Sequence, residues 1–164
     1  MLLSKNLSLR EATKSATAIR KGIDNEPSIE VIDNLQSIAR YVFQPLRDFF
    51  RVPIGISSGY RSYELNDAIG GSRRSQHITG QALDIDADIY GKVSNRQIFD
   101  GKVSNRQIFD YIKDNLEFDQ LIWEFGDDNN PAWVHVSYKK DSENRMEVLR
   151  AVKERNLTFY KPFA

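Results

Sequence analysis

The chain has 164 residues, with 23 basic and 23 acidic side chains, two histidines and no cysteine. Its size and 40% hydrophobic content fit one globular domain over residues 1–164. Balanced charge argues against nucleic acid as a partner, the lack of thiols excludes disulfides and cysteine-ligated metals, and no run reaches the roughly 20 apolar residues of a membrane span.

Residues 1–50 read as N-terminal helices. Ser8-Leu9-Arg10-Glu11 has the form of a capping box and predicts a helix from there to Gly22. The same stretch lacks the continuous apolar core and cleavage site of a signal peptide. Pro27 and Ser28 open a second helix, in which Ile29, Val31, Ile32, Leu35, Ile38, Ala39, Val42 and Phe43 keep helical spacing. Pro45 is expected to end or kink it.

Residues 52–138 form the expected metal-site core. "VPIGIS" predicts a strand, "SGYRS" its loop exit, and "YELNDAI" a helical turn closed by Gly70-Gly71. "ALDIDAD" alternates apolar and acidic side chains, the period of a half-buried strand. "QLIWEF" and "WVHVSY", separated by the turn-forming "GDDNNPA", predict a hairpin. The segment 139–164 is ambiguous between helix and strand from Arg145 onward.

"GKVSNRQIFD" occurs twice in tandem, at 91–100 and 101–110. Ten residues are about 2.8 helical turns, so one continuous helix would turn the second apolar face by roughly 80° from the first. Only the second copy runs on into a good stripe, Ile108, Phe109, Ile112 and Leu116, with Ser104 and Gln107 as its cap. The second copy is expected to dock on the core and the first to be a surface excursion.

Both histidines lie in strand-like surroundings: His77 in "SQHITGQALDID" and His135 in "WVHVSY". With Asp84 they offer two imidazoles and one carboxylate, a donor set suited to Zn2+ without sulfur. Gly80 provides a turn that can fold Asp84 back toward His77.

Residues 57–86, "SSGYRSYELNDAIGGSRRSQHITGQALDID", and 118–138, "FDQLIWEFGDDNNPAWVHVSY", resemble the M15 family of zinc D-Ala-D-Ala carboxypeptidases and peptidoglycan endopeptidases. Ser75, His77, Gly80, Ala82 and Asp84 meet the signature S-x-H-x-x-G-x-A-x-D, and W-V-H-V-S matches around His135. "NLQSIARYVFQPLRDFF" is similar to the helix preceding this domain in small, often phage-encoded members.

The resemblance implies an α+β fold, with helices packed on a small, mainly antiparallel sheet carrying a zinc site. It implies His77, Asp84 and His135 as zinc ligands and Arg61 as the cation that grips a substrate carboxylate or stabilises an oxyanion. Ser75 and Gln76 would orient the metal loop and face the substrate, and Trp133 would line the subsite for a stem peptide. Many relatives carry an acid three residues before the last histidine or a histidine two before it. Those positions here are Ala132 and Trp133, so the base must come from elsewhere.

Glu124 is the choice, in a hairpin register that pairs it with His135, and Asp127 or Asp128 is the fallback. The expected activity is zinc-dependent hydrolysis of a peptidoglycan stem peptide by a monomer. Terminal D-Ala–D-Ala cleavage is the first reading; an L-Ala–D-Glu endopeptidase and a non-catalytic zinc-containing wall-binding module are the rivals. The missing signal peptide fits synthesis in the cytoplasm and action on the wall after release through a holin lesion, or as part of a virion.

Overall fold

The computed structural model describes residues 1–90 and 101–163. A short two-stranded sheet, β1 (Leu2–Ser4) and β2 (Leu7–Ser8), leads into α1 (Leu9–Thr13), where Ser8 and Glu11 form the expected capping box. The helix stops at Thr13, however, and α2 (Ala16–Lys21) starts afresh with Ser15 as its cap, so the single helix expected as far as Gly22 is two. The reason lies in the partners of two carbonyls. A continuing helix would need Ala12 and Thr13 as acceptors, but the Tyr60 N–H takes the first (2.7 Å) and the Asn25 side chain the second (2.8 Å).

Ser28 caps α3 (Ile29–Ile38), which passes through a π-helical turn, Ala39–Phe43, into α4 (Gln44–Phe50). Pro45 therefore neither ends the helix nor leaves it regular. The widened turn, in which the Gln44 N–H bonds Ala39 O, carries the chain past the point where the ring would strike a carbonyl of the preceding turn.

Six strands form the main sheet: β3 (Gly55–Ser58), β4 (Ala82–Asp86), β5 (Gln120–Glu124), β6 (Trp133–Ser137), β7 (Glu147–Glu154) and β8 (Leu157–Pro162). Their order is β3-β4-β6-β5-β7-β8. All pairs are antiparallel except β5–β7, so the sheet expected to be mainly antiparallel is a mixed one with a single parallel pair. The strand expected from "VPIGIS" pairs only from Gly55. The ambiguous tail is strand: β7 and β8 make a hairpin whose turn residues Arg155 and Asn156 both have positive φ (49° and 67°). That is the type I′ geometry whose usual Asn-Gly or Asp-Gly signature is missing here.

Strand alternation divides the sheet. Leu83, Ile85, Leu121, Trp123, Val134 and Val136 face the helices and pack with Leu35, Ile38, Phe43, Leu46, Ile108 and Phe109. Each such buried side chain contributes about 1.5–3 kcal/mol. The opposite face carries Asp84, Ile122, Glu124, Trp133 and His135.

The second copy of the duplicated decapeptide supplies α6 (Asn105–Asn115), after α5 (Tyr63–Ala68) in chain order. Ser104 and Gln107 form its capping box, and Ile108, Phe109 and Ile112 are buried against the core. Asn105 ties the helix down: its Oδ1 accepts from the Ala87 N–H, and its Nδ2 donates to Asp86 Oδ1 and to the carbonyls of Pro131 and Ala132. The first copy, 91–100, with the surface position expected of it, lies outside the described residues.

Candidate active site

His77 reaches the site from the turn before β4, Asp84 from the middle of β4 and His135 from β6. Asp84 and His135 are direct cross-strand partners, so antiparallel pairing alone sets them side by side. Gly80 makes the turn that returns the chain from His77 to β4. Its φ is +71°, and a Cβ there would stand 2.7 Å from Val31 O, so glycine is required on both counts.

The three groups converge. Asp84 Oδ1 lies 2.9 Å from His135 Nδ1 and 3.2 Å from His77 Nε2, and the two ring nitrogens are 3.2 Å apart. His77 is 1% exposed, Asp84 and His135 9% each. Burial acts to raise the Asp84 pKa, but His77 and His135 outweigh it and hold the carboxyl well below the usual range. Burial pulls His77 the other way, below its ordinary value, against the attraction of Asp84.

One hydrogen bond tests the fit to a cation. His77 Nδ1 is 2.6 Å from Gly59 O, a pure acceptor, so that nitrogen carries the hydrogen. In the neutral ring Nε2 is then a lone pair, and it faces a carboxylate oxygen and a second imidazole nitrogen. With the His135 hydrogen on Nε2, all three atoms turn lone pairs toward one point, an arrangement that a cation there satisfies. The nitrogen–oxygen donor set suits zinc, and a backbone carbonyl behind a ligand histidine is a common way to fix its tautomer.

Arg61 stands beside the cluster, its Nη2 3.5 Å from Asp84 Oδ2. Its Nη1 donates to Asn66 Oδ1 (3.4 Å), its backbone N–H donates to His77 O (3.2 Å), and its buried Nε has no partner among the described residues. Asn66 also donates to Ser72 O (2.9 Å), which fastens the 70–72 loop to the arginine.

Glu124 is 6% exposed, and its carboxylate makes no hydrogen bond among the described residues. Burial, with Asp84 adding repulsion and His135 and Arg61 opposing, pushes its pKa up to about 7. The register differs from expectation: Glu124 pairs with Trp133, and His135 pairs with Ile122. A shift of two residues preserves the face, so Glu124 still lies on the metal side, diagonal to His135 rather than opposite it. The positive φ of Phe125 and Gly126 and the Ala132 N–H bonded to Glu124 O set that register.

All of these groups open onto one cleft of about 590 Å³, which Ser75, Gln76, Phe125 and Trp133 also line. Ser75 Oγ accepts from the His77 N–H (3.4 Å). Trp133 is half-buried and stands edge-on to Phe125. The fallback acids Asp127 and Asp128 lie off the cleft. Asp127 accepts the N–H groups of Asn129 and Asn130 in the turn, and Asp128 pairs with Arg150 (2.7 Å).

Sequence reasoning missed the support beneath Gln76. Its Nε2 donates to Asp119 Oδ2 (3.0 Å), while its Oε1 is buried without a partner among the described residues. Asp119, wholly buried, also accepts from Nε and Nη2 of Arg145 and from Lys139 Nζ (2.9, 2.6 and 2.7 Å). It missed as well the outer wall, Leu149, Thr158 and Tyr160, which belongs to the β7–β8 hairpin. Alternation in "EVLRAVKE" was the one available signal.

Two imidazoles and a carboxylate on the floor of an open cleft, with a second buried carboxylate beside them, are the equipment of a metal-dependent hydrolase. A family model described as peptidase M15 matches residues 5–137, and the chain belongs to that family. M15 peptidases are zinc-dependent metallopeptidases, and the His77–Asp84–His135 cluster is of a kind that can hold the ion. A search of curated proteins returned no match.

Proposed function

We propose that this chain hydrolyses a peptide bond in peptidoglycan stem peptides, as a D-Ala-D-Ala carboxypeptidase. The observation that supports it best is the placement of Glu124, a buried carboxylate without a hydrogen-bond partner among the described residues, in the same cleft as the candidate ligand cluster and Arg61. When bound by His77, Asp84 and His135, zinc supplies a Lewis acid that polarises a carbonyl and acidifies water.

The residues of the chain supply the rest. The Glu124 carboxylate takes a proton from the attacking water as its oxygen bonds to the carbonyl carbon, and returns that proton to the leaving amine as the C–N bond breaks. A carboxyl titrating near neutrality suits both transfers. Arg61 faces the negative charge, either on the developing oxyanion or on the terminal carboxylate of the peptide. Gly59 holds the His77 ring, Asp119 holds Gln76, and Trp133 offers a flat apolar surface to the peptide.

Arg61 favours a substrate with a free carboxylate close to the scissile bond, but an internal L-Ala–D-Glu bond also places a carboxylate there. An endopeptidase is therefore the second reading. We place the action at the cell wall, after release through a holin lesion or as part of a virion. The test is mass spectrometry of purified stem peptides after incubation with the zinc-loaded and the chelated protein. Zinc-dependent loss of terminal D-Ala supports the carboxypeptidase, and an internal cut identifies the endopeptidase. No cleavage by a protein holding one equivalent of zinc leaves a wall-binding module.

A further inference from the structure

The matched family region ends at residue 137, yet the cleft does not. Its outer wall comes from the β7–β8 hairpin, through Leu149 and Thr158 and through Tyr160. Cross-strand register places these residues. Trp133 pairs with Glu124, Glu124 with Ala151, and Ala151 with Tyr160, so the four form one row on the metal face of the sheet. Two strand spacings, about 10 Å, separate the backbones of Glu124 and Tyr160. Ala151 between them bears only a methyl group and screens neither from the other.

We propose that Tyr160 is a substrate-positioning residue of this cleft, its phenol hydroxyl donating a hydrogen bond to a carbonyl or carboxylate oxygen of the bound stem peptide beside Glu124. Tyr160 is 55% exposed, and among the described residues its hydroxyl has no hydrogen-bond partner, so it is free to meet a ligand. Burial of part of the ring, with the negative charges of Glu124 and Asp84, raises its pKa, which keeps the phenol protonated and able to donate at neutral pH. Arg61 and Tyr160 line the same cleft, so a peptide lying over Glu124 meets a cation and a neutral donor. The hairpin thereby becomes part of the specificity apparatus rather than an appendage to the sheet.

This inference rests on the stem-peptide reading, and its test separates the two. The probe is a synthetic stem pentapeptide ending in D-Ala-D-Ala, titrated by calorimetry into zinc-loaded protein carrying Glu124→Gln so that turnover does not interfere. Adding Tyr160→Phe, which removes one oxygen from an exposed ring and leaves the strand intact, is expected to weaken binding about fivefold, with melting temperature and zinc content unchanged. Thr158→Val serves as a second variant on the same wall.

An unchanged dissociation constant in Tyr160→Phe overturns the proposal, as does failure of the pentapeptide to bind at all. Weakened binding, combined with a wild-type protein that binds but never cleaves, upholds the hairpin's role and removes the catalytic reading instead.

Discussion

Replacing Glu124 with glutamine exchanges a titrating group for a neutral one of the same shape. The folded protein holds this carboxyl at about 7 against an ordinary 4.5. At about 1.4 kcal/mol per pH unit, that difference is worth about 3 kcal/mol, an upper bound for a relaxed site. The sign follows from which form each state prefers. Between 4.5 and 7 the unfolded chain ionises Glu124 while the folded protein keeps it protonated, so wild-type stability falls across this window and levels off above it. Glutamine does not titrate.

In the chelated protein, the melting temperature of Glu124→Gln relative to wild type should therefore rise from pH 4.5 to a plateau above pH 7. About 3 kcal/mol corresponds to roughly 6–12 °C for a chain of this size. Calorimetric melting in chelator from pH 4.5 to 8.5 reads this directly. In parallel, the zinc-loaded variant should lose about 10²–10⁴-fold in turnover while retaining its metal. A melting difference that does not vary with pH refutes the burial argument, and preserved turnover refutes the role of base.

His77→Ala should bind less than one equivalent of zinc after equilibrium dialysis; full occupancy would remove His77 from the ligand set. Gly80→Ala should cost at least about 1–2 kcal/mol from its left-handed backbone alone, with the contact to Val31 O adding to it. Denaturant melts that match wild type would show that the turn can relax. Asp119→Asn should destabilise at pH 7, because Arg145 and Lys139 outweigh burial and hold that carboxyl well below the ordinary range. Its folded pKa is depressed, so the contribution is present above the unfolded value of about 4 and is lost as pH falls further. The gap in melting temperature between wild type and variant should accordingly narrow from pH 5 toward pH 2.5, and a gap that widens would contradict the assignment.

The parts of the fold written in local chemistry were legible in the sequence. The caps at Ser8, Ser28 and Ser104 bond the backbone three positions ahead, period-2 alternation marked β4, and two runs about a turn-forming loop marked β5 and β6. What escaped depends on partners distant in sequence. The break after Thr13 is made by Asn25 and Tyr60, and no local pattern announces it. The π-helical turn that accommodates Pro45 has no marker in the sequence beyond the proline itself. His77, Asp84 and His135 were readable as candidates from the resemblance of their motifs to the family signature, and the structure brings the three groups together. The face occupied by Glu124 followed from parity, but its exact partner did not, because the loop of residues 125–132 fixes register through positive φ at Phe125 and Gly126. Asp119 and Asn66 had no signal, since a buried carboxylate and a buried amide read in sequence like any polar residues.

The cross-strand pairing of Asp84 with His135 has a consequence for how this chain can change. The geometry of those two groups is set by hydrogen bonds between β4 and β6, not by the 51 positions that separate them along the chain. Extra residues inserted between the strands need only begin and end at the sheet. By loop-closure entropy, roughly doubling the length of a connection costs about 0.6 kcal/mol, a small fraction of a domain's stability. The second "GKVSNRQIFD" lengthens that intervening connection and supplies the docked α6. Insertion there is thus cheap for the metal site, whereas a single residue added within β4 or β6 would turn its ligand to the opposite side of the sheet.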